Sequence, residues 1–510
     1  MTAGRRILPM GVDAVLVEEP DLDAVLALHA ALADDRPAGI VELVPAARTV
    51  LVRFDPARIG AVAVREWVAG ATTSAAGTSG AAAEVGLGIV YDGADLDETA
   101  RLLGLGPAEL AERHARTPWQ VAFTGFTPGF GYLVGEDWPH DVPRLAVPRT
   151  RVPAGAVGLA AGFTGAYPRE TPGGWRLIGR TDAPLFDPAA ARPALLVPGM
   201  RVRFLPERAR ATAARGAEPA PPAAVTVPAV ARIERAGSVT VQDLGRPGLT
   251  HLGVSRSGAL DRGALRLANR LVGNPEDAAV IEIGPGGFVA TALRDVWIAT
   301  TGAWAPTRLD GVAVDQYRAL HWRAGTVLEI GFPTHGARIV LALAGGVAAP
   351  HAFGSASTDT LAGLGPAPLV AGDLLHAGHP LGSPPPLDAG PWGWPPEVRV
   401  LRMRWGPRAD WFTASARRRF VEAEWTVSTD ADRVGARLEG PVLPRARTGE
   451  LPSEAMVPGA VQVPPSGRPV ILLADGPATG GYPVIAVVDD AALDAVAQAP
   501  PGARIRFRTA

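Results

Sequence analysis

The pattern of apolar and polar positions changes character along the chain. Up to about Ala83 it reads as a small α/β unit. Asp13 to Glu18 alternates as a strand, and Val25, Leu26, Leu28 and Leu32 are spaced as one face of a helix over Leu22 to Ala33. Val41 to Phe54 reads as a hairpin, because Val50, Leu51, Val52 and Phe54 form a β-branched and aromatic run after Pro45. A helix is predicted from Arg65 onward, and Thr72 to Gly80 is a small, polar loop. A strand follows at Gly88 to Tyr91, then helices at Asp95 to Gly104 and from Pro107, suited to a first turn, to Arg116.

From Val121 the apolar runs are short and broken by Gly and Pro, the texture of β barrels or sandwiches. Glu207 to Pro228 is rich in Ala, Arg and Pro without an apolar period and reads as a linker, a candidate gene-fusion seam. A second Pro-rich stretch lies at Pro380 to Glu397. The expected units are therefore 1–83, 84–206, a linker at 207–228, 229–380, a connection at 381–396, and 397–510. Four times Pro or Ala precedes a Gly and then an apolar run: Pro198-Gly199, Ala324-Gly325, Ala371-Gly372 and Pro501-Gly502. Each is a turn feeding a half-buried strand, a device common in β proteins and equally compatible with chance or modular repetition.

Composition narrows the chemistry. At 510 residues the chain is too long for one core. Gly (60) and Pro (50) favour turn-rich β structure, and a net charge of −2 argues against a dedicated nucleic-acid binder. There is no Cys, which removes thiolate catalysis, disulfides and Cys-ligated metals. There is also no Lys, so all 49 basic residues are Arg. That removes Schiff-base chemistry, a biotin attachment site and a Walker A loop, and leaves Arg and backbone N–H groups to bind phosphate. No signal peptide or apolar span is evident, so a soluble, cytoplasmic protein without membrane contact is expected.

Phe123 to Tyr132 (Phe-Thr-Gly-Phe-Thr-Pro-Gly-Phe-Gly-Tyr) interleaves aromatics with Gly and Pro. It reads either as a ligand-approaching loop with an anion nest or as a packed β corner. Asp243 and Arg246 would ordinarily make a structural ion pair, and Ser257 and Asp261 would cap the helix predicted over Asp261 to Val272. Glu282 faces opposite to Ile281 and Ile283 on a probable strand. His376 and His379 lack the companion ligands of a metal site, and Gly284, Gly286 and Gly287 lack the dinucleotide-binding register. No protein-ligated metal is expected.

In order, these motifs resemble two linked families. Leu8 to Pro206 is similar to the allophanate hydrolase subunit 1, or KipI, family, associated with the B component of 5-oxoprolinase. The resemblance rests on Gly125-Phe126-x-Pro128-Gly129-Phe130-x-Tyr132-Leu133, Pro148-Arg149, Tyr167-Pro168, Pro172-Gly173-Gly174-Trp175 and Gly179-Arg180-Thr181. Val227 to Phe507 resembles the allophanate hydrolase subunit 2, or KipA, family, the C component of 5-oxoprolinase. There the motifs are Gln242-Asp243-x-Gly245-Arg246, Gly253-Val254-x-x-Ser257-Gly258-Ala259-x-Asp261, Asn269-x-x-Val272-Gly273-Asn274, Gly354-Ser355-x-Ser357-Thr358, Asp432-Arg433-x-Gly435-x-Arg437-Leu438 and Gly480-Gly481-Tyr482-Pro483. Ala156 stands where the first family usually has Ser, and Pro477-Ala478 where the second usually has Gln-Thr.

The resemblance implies a mainly β chain with a small N-terminal α/β domain and tandem cyclophilin-like β barrels, one in the first half and two in the second. It implies ATP-dependent opening of 5-oxoproline to glutamate, with ATP and Mg²⁺ as cofactors. The implied partner is the LamB/YcsF-type A component of 5-oxoprolinase, and a homodimer is compatible with the resemblance. Phosphorylating a lactam oxygen makes a poor electrophile hydrolysable, and such a site needs cations, a carboxylate for Mg²⁺ and donors for developing charge. The matching positions nominate Arg149, Asp243, Arg246 and Asp261 as its polar core, with Asp432, Arg433 and Asp475 as further candidates. Phe126 to Phe130 and Gly173-Gly174-Trp175 would shape the pocket. Tyr167, Gln242, Ser257, Asn274, Thr479 and Tyr482 are the remaining nominated binding residues. Two alternatives stay open: a carboxyltransferase component related to urea carboxylase, for which neither a biotin-carboxylase domain nor a carrier lysine is on this chain, and a non-enzymatic histidine-kinase regulator of KipI/KipA type.

Overall fold

A computed structural model describes residues 5–73, 83–145, 147, 149–208, 227–387, 389–447, 449 and 451–510. The chain is mainly β. Most of the expected 207–228 linker, most of the Thr72 to Gly80 loop, and Pro148 of the Pro-Arg motif lie outside the described residues.

The N-terminal strands pair in the order Arg6–Pro9, Ala14–Glu18, Thr49–Phe54, Ile40–Pro45, all antiparallel. The helix Leu22–Asp34 is capped by Asp21, whose side chain accepts from the Ala24 N–H, and it buries Val25, Leu28 and Leu32. The second helix, Ala61–Gly70, begins four residues before Arg65 and buries Val64 and Val68 against the same core.

A seven-stranded sheet follows, and its first strand, Glu84–Ile89, pairs in parallel with its last, Arg201–Pro206. The C-terminal unit, a closed barrel of seven strands, repeats the device: Val398–Trp405 pairs in parallel with Arg504–Thr509. The closing strands are those fed by Pro198-Gly199 and Pro501-Gly502, and both glycines are left-handed (φ 85° and 84°). A second correspondence supports modular repetition. Each unit has a helix followed by a buried Trp whose indole N–H donates to a carbonyl five residues earlier, Trp119 to His114 O and Trp425 to Phe420 O. Phe204 and Phe507 on the closing strands pack in the respective cores.

The block between them is the region expected to be the first β-barrel module of the second half. Its strands fall into a six-stranded and a five-stranded sheet that share one core. The chain passes between the sheets at Gly284–Gly287 and again around Ala305-Pro306, where Gly and Pro interrupt strand pairing. Among the described residues no helix is long and apolar enough to cross a membrane.

Candidate functional site

The two halves meet where the glycine–aromatic segment touches the turn Thr250–Leu252. Gly129 N–H donates to Leu252 O (3.2 Å), and Thr124 Oγ1 donates to His251 O. Thr250 donates through its backbone N–H and its hydroxyl to Glu42 Oε1 of the N-terminal sheet (3.1 and 2.7 Å). Gly253 must be glycine: its φ is 75°, and a Cβ there would lie 2.6 Å from Thr127 O. From the C-terminal barrel, Thr479 Oγ1 accepts from Phe126 N–H (3.0 Å). Phe126 itself holds a left-handed φ of 63°, a strained conformation for a residue with a bulky side chain.

Behind this junction lies a buried polar network. Asp243 accepts four hydrogen bonds: from Gly245 N–H, Ser355 Oγ and Ala356 N–H, each at 2.7 Å, and from Ser357 Oγ. It does not pair with Arg246, contrary to the spacing argument. Arg246 turns instead to Ser357 O and lies 3.9 Å from Asp359, with a side chain wholly shielded from solvent. Its Nε and Nη1 have no hydrogen-bond partner among the described residues. Burial pushes the Arg246 pKa down, against the pull of Asp359, Asp243 and Asp475. Asp359 accepts from Ser255 Oγ, Leu361 N–H and Ala362 N–H; burial and then Asp475 raise its pKa.

Arg433 is the opposite case. It donates to Asp475 through Nε (3.0 Å) and Nη2 (3.1 Å), to Glu282 Oε1 (2.5 Å) and to Gly258 O (2.6 Å). Burial opposes its charge, but Glu282 and Asp475 outweigh that and raise its pKa. Asp475 also accepts from Ser257 Oγ (2.8 Å) and from Thr360 N–H and Oγ1 (2.9 and 2.7 Å). Ser257 is therefore a network residue at a left-handed φ of 54°, not a helix cap. Gln242 supports the loop through Thr358 O (3.0 Å).

The other nominated residues sort into places apart. Arg149 pairs with Asp95 (2.6 Å) within the first half, outside the network. Phe130 meets Tyr167 (5.1 Å between centroids) and Trp175 (5.3 Å) in an aromatic cluster that backs the loop of Pro128 and Gly129. Gly173 abuts the Tyr167 hydroxyl, and Gly174 O accepts from Leu145 N–H. Asp261 caps the helix Arg262–Leu271 by accepting from Ala264 N–H (2.8 Å), and its other oxygen accepts from Gln498 (2.7 Å). Asn274 pins Asn269 Oδ1 and Leu343 O. Asp432 closes a local turn onto Val434 and Gly435 N–H groups, and Tyr482 is exposed. His376 Nδ1 lies 2.7 Å from Val227 O.

Three site residues escaped the sequence reasoning: Asp359, Arg169 and Arg256. Arg169, from the first half, reaches the Asp359–Gly363 turn, where a Cβ on Gly363 would lie 2.3 Å from its guanidinium. Arg256 makes no side-chain hydrogen bond among the described residues, and burial, then Arg262 and Arg53, lower its pKa to about 10. It lines two small clefts shared by the N-terminal sheet and the C-terminal barrel, and a third between the Thr250–Arg262 segment and the C-terminal barrel. The Nε atoms of Arg169 and Arg256 are buried without partners. The one local signal was Arg256 standing among the motif positions Val254, Ser257 and Gly258.

Residues 252–509 match the carboxyltransferase domain, subdomain A and B, and residues 5–196 match the carboxyltransferase domain, subdomain C and D. The chain belongs to the carboxyltransferase-domain family. Within that family it is 39% identical over 284 residues to the C component of 5-oxoprolinase from Escherichia coli K12, covering 54% of this chain and 90% of that protein. It is 47% identical over 123 residues to the B component of 5-oxoprolinase from E. coli O157:H7, covering 24% of this chain and 56% of the relative. The chain thus joins a B-like region to a C-like region. The crystal structure of TTHA0988 superposes with a TM-score of 0.85 at 36% identity, covering 98% of this chain and 100% of that one. The C-like region contributes the buried charges, and the B-like region contributes the aromatic wall and Arg169.

Proposed function

We propose that the junction between the halves binds the phosphate end of ATP and phosphorylates the lactam oxygen of 5-oxoproline, yielding glutamate together with a LamB/YcsF-type partner. One observation carries this reading: Arg169 from the first half and Arg246 from the second both adjoin the Asp359–Gly365 turn and leave buried N–H donors without partners. Unpartnered buried guanidinium groups are costly, and an anion relieves that cost through charge-assisted hydrogen bonds. The donor set therefore fits a phosphate. Among the described residues no three His, Asp or Glu gather to hold a metal ion, and Mg²⁺ would be carried by the nucleotide, with Asp359 as the carboxylate beside Arg246. Bound ATP supplies the phosphoryl group; Arg246 and Arg169 orient it beside the Phe126–Phe130 loop, and water added at the activated carbonyl carbon breaks the ring C–N bond and releases phosphate with glutamate. Asp243, saturated by four donors, holds the Arg246 loop and is a positioning residue.

The test is release of glutamate and ADP from 5-oxoproline by the chain with and without the partner. Coupled release with the partner supports the reading, and its absence refutes it. The family description favours a second reading, carboxyl transfer, which predicts dependence on a separate biotinylated protein instead.

A further inference from the structure

One cavity of the C-like region lies away from the junction. It has a volume of about 400 Å³ and lies between the two-sheet block and the C-terminal barrel, walled on one side by Pro391–Pro396 of the Pro-rich connection. That volume is in the range of small-molecule sites. The connection is thus part of a cavity wall as well as a spacer.

Three groups define the cavity's chemistry. Arg399 is 7% exposed, donates once, from Nη2 to Gln498 O (2.9 Å), and forms no ion pair among the described residues. A guanidinium so placed matches a carboxylate in bidentate geometry. Asp261 is tied to the same Gln498 by its side-chain amide (2.7 Å). Each Asp261 oxygen accepts one protein hydrogen bond, which leaves acceptor capacity for a ligand N–H. Burial and then Asp494 raise its pKa to about 6. Gln498 is itself fixed, because its Oε1 accepts from Ala337 and Arg338 N–H groups. The third group is aromatic: Trp392 lines the cavity beside Tyr317 (6.2 Å) and is clamped between Trp304 (5.0 Å) and Trp394 (4.4 Å). Tyr317 holds a left-handed φ of 62°, and its carbonyl accepts from Gly390 N–H (2.5 Å), so this strained residue anchors the wall.

We propose that this cavity binds a small amino carboxylate, with the carboxylate on Arg399, the amino nitrogen on Asp261 and the hydrocarbon against Trp392. The site is separate from the phosphate junction and does not depend on it.

The probe is L-proline, titrated into the full chain by calorimetry and by Trp fluorescence. Pyrrolidine lacks only the carboxylate and cyclopentanecarboxylate lacks only the N–H. Proline is expected to bind saturably with a Kd of about 1 mM or tighter, and each analogue about tenfold or more weaker. Arg399→Gln should weaken proline about tenfold and leave pyrrolidine unchanged. Trp392→Ala, in the connection and outside both cores, should weaken both while the chain still unfolds in a cooperative transition, so it decides the matter should Arg399→Gln fail to fold. Absence of saturable proline binding to the wild-type chain, or equal binding by wild type and Trp392→Ala, overturns the proposal.

Discussion

The most deeply buried titratable groups of the first half and the second differ in charge. In the first, His114 is fully buried and uncharged, its ring nitrogens at 2.8 Å from Tyr91 Oη and Thr164 Oγ1, with Trp119 and Phe204 packed against it. In the second, whole ion pairs are buried: Arg433 with Glu282 and Asp475, and Arg246 beside Asp359. A neutral polar group needs only hydrogen bonds to be buried, whereas a charge needs a countercharge as well. The second half therefore supplies most of the buried charge, and the first supplies a shaped aromatic wall together with Arg169. Within the second half the contrast sharpens: Arg433 is fully partnered and structural, while Arg246 is under-partnered and available.

The largest expected effect is at the partnered cation. Arg433→Met strands Glu282 and Asp475 and should cost about 3–5 kcal/mol in chemical denaturation. A loss below about 1 kcal/mol would show that the buried network does not hold the fold. Next is the seam. Gly253→Val forces a side chain into a left-handed position against Thr127 O and should cost about 2 kcal/mol. Gly248→Ala is the control, at φ 90° with nothing within 4 Å of the added Cβ, and should cost about 1 kcal/mol. Equal losses at both positions would mean that the halves do not press together at Gly253.

The pH response of stability separates the halves by sign. Burial depresses the His114 pKa from 6.5 to about 3. The unfolded chain then takes up a proton that the fold refuses, and stability is lost as pH falls from about 6.5 toward 3. Asp261 moves the other way, from 3.8 to about 6, so its contribution is present below about 4 and lost as pH rises through about 6. Between pH 4 and 6 the two slopes oppose. Relative to wild type, Asp261→Asn should make stability rise more steeply with pH, and His114→Phe should make it fall, each by up to about 1.4 kcal/mol per pH unit. Variants whose profiles run parallel to wild type would refute the assignment. The smallest effect is Thr479→Val, which leaves Phe126 N–H unpaired at a cost of about 1 kcal/mol by thermal unfolding; no change there would remove Thr479 from the seam.

Much of the local structure was legible in the sequence, because the signals are local. Pro107 opens its helix, Asp261 caps the next, Glu282 faces away from its neighbours, and four glycines feed strands as their turns require. The candidate site was legible only as motifs. Ser257 and Asp475 are 218 residues apart in sequence, and no spacing rule links them. The Asp243–Arg246 expectation failed because Ser355 and Ser357, brought in by a distant loop, saturate the carboxylate and leave the arginine to Asp359. Arg169 and Arg399 carried no signal and Arg256 only its place inside a motif, since an arginine becomes informative only when the fold denies it a partner.

The central claim is that Arg246 is kept under-partnered for an incoming phosphate. The direct measurement is ADP and glutamate release from 5-oxoproline by wild type and Arg246→Gln, each with the LamB/YcsF-type partner and each verified as folded. We expect equal amounts of both products from wild type and a loss of about a hundredfold or more in the variant. Wild-type turnover in a folded Arg246→Gln protein would contradict the account.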